Sequence, residues 1–212
     1  ISKIELLDNG KLGDVTTGFV DGELLNQFSL DEDEQGYLRV AVTYMDEEYK
    51  NNSGIVILDP SLEQYSLLDG LAQDERIYSV RFMGDKVFLV TYRQVDPFFV
   101  IDLSDRKNPE VLGYLKIPGY SSYLHPISDT LILGVGQDTK QNEWGGVSTE
   151  GVKVSLFDVS DYSNPQEVAS FKVDAENSYT PIQNDHKAFL YIQKNNLIVI
   201  PVNEYFSTRE SE

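Results

Sequence analysis

The chain has 212 residues and no cysteine, and its 35 Asp and Glu against 17 Lys and Arg leave a formal charge of −18. A charge of that sign and size argues against nucleic acid and anionic membrane surfaces, and the missing cysteines remove disulfides, thiolate metal sites and cysteine nucleophiles. No apolar stretch approaches the roughly 18 residues of a membrane span, and Ile1 to Leu7 have neither the basic region nor the long apolar core of a signal peptide.

Along the chain, apolar residues alternate in short runs closed by Gly, Asp, Asn or Pro, and no long stretch has helical periodicity. In Tyr37–Tyr44, Leu38, Val40, Val42 and Tyr44 fall on one face and Tyr37, Arg39, Ala41 and Thr43 on the other. Further strands are predicted at Tyr78–Phe82, Val87–Tyr92, Phe98–Leu103, Val111–Ile117, Leu131–Val135, Val152–Val159, Val168–Val173, Ala188–Ile192 and Leu197–Val202. Several are apolar on both faces, as in Phe98-Phe99-Val100-Ile101, which fits strands covered by a sheet on each side. The fold class is all-β.

One pattern recurs. Phe99-Val100-Ile101-Asp102-Leu103-Ser104-Asp105, followed by Asn108-Pro109, matches Ser155-Leu156-Phe157-Asp158-Val159-Ser160-Asp161, followed by Asn164-Pro165. Ile55-Val56-Ile57-Leu58-Asp59-Pro60 is a weaker copy. Asp59 and Asp102 stand 43 residues apart, and Asp158 follows 56 residues later. The shorter step is that of a four-stranded propeller blade. The longer one contains an inserted connection, Gln137 to Gly151, where the preceding unit has only Arg93-Gln94-Val95-Asp96-Pro97.

The expected architecture is therefore a partial β-propeller of four-stranded antiparallel blades. Residues 1–22 supply the outer strands of one blade; 23–70, 71–119 and 120–174 are full blades, and 175–205 give the inner strands of another. Three full blades with two partial ones do not close a ring. The expectation is a fragment whose ring is completed by the remainder of a longer chain, with a second copy as the alternative.

Several stretches carry a family resemblance: Leu25-Asn26-Gln27-Phe28-Ser29-Leu30-Asp31, Gly36 to Ala41, Glu75 to Asp85, Arg93 to Pro97, and Asp185-His186-Lys187-Ala188-Phe189. In these the chain resembles secreted bacterial and archaeal proteins with a C-terminal β-propeller domain distantly related to WD repeats. The resemblance implies a propeller fold, export to the outside of the cell or its envelope, and a family domain longer than this chain.

Propeller geometry ranks the candidate residues. The connections from last to first strand, and from second to third strand, share one rim, which would collect Asp74, Glu75, Arg76, Arg93, Asp96, Tyr120 and Trp144. Arg81 and Tyr123 lie on first strands facing the central channel. Arg76, Arg81, Arg93, Asp96, Tyr123 and Trp144 are the candidate ligand-binding set. Trp144, beside Gly145-Gly146 in the inserted connection, reads equally as a binding anchor or as a cover for a neighbouring blade. On the opposite rim, Asp102, Asp105, Asp158 and Asp161 are explained by turn chemistry.

The only two histidines, His125 and His186, are expected on corresponding strands of adjacent blades; with Asp185 they could hold a Zn-like ion. The competing reading is polar side chains satisfied by their neighbours. Asp31-Glu32-Asp33-Glu34 and Asp46-Glu47-Glu48 offer oxygen ligands for calcium, against solvated loop charge as the simpler account. Gly-x-Ser-x-Gly, phosphate-loop, dinucleotide and His-Glu-x-x-His motifs are absent from the sequence. The expectation is a non-catalytic extracytoplasmic module that binds a protein or glycan partner of the cell envelope on the first rim. The alternative is a metal-dependent hydrolase or lyase at the central channel, and a third reading is a purely structural domain.

Overall fold

Alternation with a period of two puts a row of apolar side chains on each face of a strand, and a strand apolar on both faces must be covered on both. The computed structural model, which describes residues 1–92, 96–141, 146–175 and 177–205, meets that demand by stacking separate antiparallel sheets. A hairpin of β1 (Ser2–Leu6) and β2 (Leu12–Thr17) comes first. The first four-stranded sheet is β3 (Leu30–Glu32), β4 (Leu38–Met45), β5 (Asn51–Leu58) and β6 (Gln64–Leu68). The second is β7 (Arg76–Met83), β8 (Lys86–Tyr92), β9 (Asp96–Asp102) and β10 (Glu110–Ile117). The third is β11 (Tyr120–Pro126), β12 (Leu131–Gln141), β13 (Val147–Asp158) and β14 (Gln166–Lys172). Two short ladders follow: β15 (Ser178–Tyr179) pairs with β18 (Asn203–Glu204), and β16 (Leu190–Ile192) with β17 (Leu197–Val199). The four-stranded sheets each run in sequence order and are not joined into a closed ring, so the architecture is all-β and that of a partial propeller.

The core lies between sheets, in layers set by the alternation. Val87, Leu89, Phe99 and Ile101 turn toward the first sheet and pack with Ala41 and Ile55. Their neighbours Phe88, Val90, Phe98 and Val100 turn the other way, onto Leu124, Ile132 and Phe157 of the third sheet. The Phe98 ring stacks on Phe157 at 4.5 Å between centroids and on Phe88 at 5.9 Å.

The repeated Asp-x-Ser turns are held by the aspartates. The carboxylates of Asp59, Asp102 and Asp158 accept the backbone N–H of Ser61, Ser104 and Ser160 at 2.8–2.9 Å. Asp105 and Asp161 do the same for Lys107 and Ser163. Side-chain hydrogen bonds from Ser61, Asn108 and Ser163 to Asp59, Asp105 and Asp161, together with these N–H contacts, hold the carboxyls below the usual carboxylate range, and the Ser160 N–H does so for Asp158. At Asp102 partial burial acts in the opposite direction and is outweighed by the Lys86 ammonium and the Ser104 N–H.

The C-terminal segment keeps the two expected strands in shortened form as β16 and β17, but the chain before them forms turns. Pro181–Gln183 and His186–Ala188 are 3₁₀ turns, started by the side chains of Thr180 and Asp185, which accept the N–H groups of Ile182 and Lys187. His186 therefore sits in a turn and not on the strand where it was expected, because capping by Asp185 competes successfully with a sheet ladder.

Candidate functional site

Three tyrosines gather at the end of the second sheet where β7 starts and β8 stops. Tyr78 lies near the start of β7, Tyr92 ends β8, and Tyr120 opens β11 of the next sheet. Tyr78 packs edge-on against Tyr92 and Tyr120 at 5.3 and 5.1 Å, while Tyr92 and Tyr120 lie 4.7 Å apart. All three are half-buried. The chain path explains their meeting: a first strand pairs with the second strand of its own sheet and packs beside the first strand of the next.

Arg76 also lies on this rim, where its Nη2 donates to Glu23 at 3.0 Å beside a hollow of about 200 Å³. Arg93 and Trp144 lie outside the described residues. Asp96 starts β9, its backbone opposite Ile117.

Arg81 occupies a different place. It lies five residues beyond Arg76 on β7, roughly 16 Å along an extended strand. Its Nε and Nη2 donate to the carbonyl of Leu124 on β11 at 2.9 and 2.6 Å, and Ser79 donates to the Ser121 carbonyl at 2.8 Å. The guanidinium sits 3.8 Å from the centroid of the Phe28 ring and 5.4 Å from that of Tyr123. Among the described residues no carboxylate pairs with it. Burial lowers the Arg81 pKa and raises that of Tyr123, while each opposes the other's shift.

Both histidines border the same ring cluster. Tyr123 Oη and His125 Nδ1 are 3.1 Å apart, and the His125 ring lies 4.7 Å from Phe189 and 5.6 Å from Tyr191. Burial, with the Arg81 charge, lowers the His125 pKa, so both act in favour of the uncharged imidazole. His186 meets the edge of Phe28 at 5.0 Å and hydrogen-bonds Gln27 Nε2 through its Nε2 at 3.1 Å. The Asp185 carboxylate is turned to its own 3₁₀ turn, on Lys187 N–H at 3.0 Å. Among the described residues no three His, Asp or Glu side chains converge to hold a metal ion.

Four carboxylates of the acidic runs are similarly engaged. Asp31 pairs with Arg39, Glu32 with Lys3 and Asp33 with Arg106, while Asp46 accepts the N–H groups of Glu48 and Lys50. The structure thus brings Arg81, Tyr123, His125 and His186 to one cluster and leaves Arg76 apart on the rim. Sequence reasoning overlooked Phe28, Tyr78 and Tyr92 as site residues, Tyr78 being read only as the start of a predicted strand. Tyr92 was legible as the last residue of a predicted strand. Phe28 was not, since a 3₁₀ turn at Gln27–Ser29, capped by Asn26, carries it against Arg81.

A family model described as a beta propeller domain matches residues 1–212. The chain is similar to an uncharacterized protein of Methanocaldococcus jannaschii, 45% identical over 190 residues that make up 89% of this chain and 29% of that protein. It is also similar to an uncharacterized protein of Archaeoglobus fulgidus, 44% identical over 186 residues, 87% of this chain and 27% of the relative. The chain spans less than a third of the length of these relatives.

Proposed function

The chain belongs to the beta propeller domain family, and from that premise we propose that it is a non-catalytic, extracytoplasmic module. It binds a protein or glycan partner of the cell envelope on the rim that carries Tyr78, Tyr92 and Tyr120. The tyrosine cluster is the observation that supports this reading. Tyrosine offers a large, rigid contact area with little entropy to lose, and its hydroxyl serves a polar partner. Arg93 and Trp144, which the sequence pattern assigns to the same rim, lie outside the described residues and enter the proposal only as an expectation from sequence. The net charge of −18 favours a neutral or basic partner over an acidic one. The open ends of the sheet stack are proposed to be covered by further blades, because Leu6, Leu12, Leu190 and Leu197 are all more than half exposed.

The test begins with partners recovered on the immobilised chain from a cell-envelope fraction. Their affinity is then measured for the wild type, Tyr92→Ala, Tyr120→Ala and Trp144→Ala. The expected loss is about 30-fold for at least one tyrosine variant, the size of an interface hot spot. Unfolding curves confirm that each variant is folded. Unchanged affinity in folded variants overturns the choice of rim, and recovery of the protein in the cytosolic fraction overturns its location.

The other reading, a Zn-dependent hydrolase or lyase using His125 and His186 with Asp185, draws no support from this geometry, because among the described residues these three side chains do not converge. That reading requires Zn²⁺ to raise the melting temperature over EDTA, with the rise lost in a His125→Ala, His186→Ala double variant. The binding reading expects equal melting temperatures.

A further inference from the structure

The opposite rim holds a cleft of about 590 Å³ between the first and second four-stranded sheets. Its walls are three turns: the one joining β3 to β4, the one at Gly84-Asp85 joining β7 to β8, and the one after β9 that bears Ser104 and Arg106. We propose that this cleft is a ligand site separate from the tyrosine rim, and that it takes a neutral, hydroxyl-rich carbohydrate.

Arg39 is the anchor of the cleft. Although a strand residue, it is only 5% exposed, far from the usual place of an arginine. Its Nη1 donates to the Gly84 carbonyl at 2.7 Å and its Nη2 to the Asp31 carboxylate, so two neighbouring sheets hold the side chain. Its Nε is buried and finds no acceptor among the described residues. Arg106, from the far wall, donates through Nε to Asp33 and through Nη2 to Gln35, with its guanidinium 4.8 Å from the Tyr37 ring centroid. Both guanidinium planes are thereby fixed before any ligand arrives, which removes an entropic cost of binding.

The acceptors stand beside these donors. Glu34 and Asp85 line the same cleft, and their carboxylates take no hydrogen bond from a described residue. Four carboxylates (Glu32, Asp33, Glu34, Asp85) face two guanidinium groups, so the lining is net negative and repels an anion. A compact cation meets two fixed positive groups there. A hydroxyl group meets neither penalty, because it donates to a carboxylate and accepts from a guanidinium at once. The volume lies within the range of small-ligand sites, and the polar walls offer little to an apolar ligand.

Titration of the purified chain with maltotriose, cellotriose and chitotriose, followed by calorimetry and amide NMR shifts, tests the inference. At least one sugar is expected to bind with a Kd of about 1 mM, with shifts at Gly84, Asp85 and Arg106. A Glu34→Ala, Asp85→Ala double variant should weaken it more than about 10-fold, since buried or clefted polar groups left unpaired are costly. Arg106→Lys, which keeps the charge and loses the fork, should weaken it by a similar factor. Tyr92→Ala should leave it unchanged, which separates this site from the rim. No binding of any of the three sugars at about 20 mM overturns the proposal. So does binding that the folded cleft variants leave intact. Tighter binding of trilysine than of every sugar overturns it in favour of a basic peptide site.

Discussion

The second four-stranded sheet and the terminal hairpins are built from the same kind of ladder, and they differ in what covers them. In β8 and β9 both rows of side chains are buried: Val87, Leu89 and Ile101 on one face, Phe88, Val90 and Phe98 on the other, none more than 1% exposed. In the β1–β2 hairpin, Leu6 and Leu12 are 73% and 70% exposed, although the strands alternate in the same way. A two-stranded ladder is marginal by its own hydrogen bonds. The stability of a sheet in this fold therefore comes from its neighbours, and a blade with one bare face is a weakly held blade.

The sharpest way to break that comparison is to truncate a large apolar side chain to alanine in each region. Phe98→Ala removes a ring stacked between Phe88 and Phe157 and should cost about 3–5 kcal/mol of unfolding free energy. Leu12→Ala, in the hairpin, should change it by less than about 0.5 kcal/mol. Urea unfolding of both variants decides the matter. Similar losses would mean that the hairpin is covered in solution.

A smaller effect tests how closely adjacent strands approach. A Cβ added at Gly136 of β12 would collide with the backbone carbonyl of Tyr120 on β11, with no flexible side chain to yield. Gly136→Ala should cost about 1–3 kcal/mol by forcing the strands apart. At Gly70 the added methyl meets no atom within 4 Å, and only its φ of +66° opposes the change. Gly70→Ala should then cost no more than about 1 kcal/mol. Equal costs at the two sites would show that strand approach is not the limiting factor at Gly136.

The covered region was also the legible one. The run Phe98-Phe99-Val100-Ile101 cannot be half-solvated, so it implied a sheet on both sides, and the paired Asp-x-Ser-Asp turns supplied the repeat. Where a side-chain amide or carboxylate oxygen captured a nearby N–H, the alternation misled. Asn26 and Asp185 each turn the chain into a 3₁₀ turn, one placing Phe28 on Arg81 and the other taking His186 off a strand. Such captures depend on the competition between a local hydrogen bond and a distant ladder, which spacing alone does not resolve. The site was thus readable as a set of first-strand residues, while their cationic-aromatic grouping was not.

The smallest effect concerns charge, and it sets the same two regions against each other. Lys86 pairs with Asp102 at 2.9 Å within the covered sheet, with side chains 18% and 21% exposed; Lys3 and Glu32, near the bare hairpin, are 40% and 43% exposed. Partial burial tends to raise the Asp102 pKa, but Lys86 and the Ser104 N–H outweigh it and hold the carboxyl below its ordinary value. Its contribution is therefore present above the unfolded carboxyl pKa near 4 and is lost as the pH falls through the lower folded value. A double-mutant cycle with Lys86→Met and Asp102→Asn should give a coupling of about 1 kcal/mol at pH 7 that fades below about pH 4. The cycle on Lys3 and Glu32 should stay within about 0.5 kcal/mol, because solvent screens an exposed pair. If the two couplings match, burial by the neighbouring sheet does not strengthen the Lys86–Asp102 pair, and the difference between the regions rests on apolar contact alone.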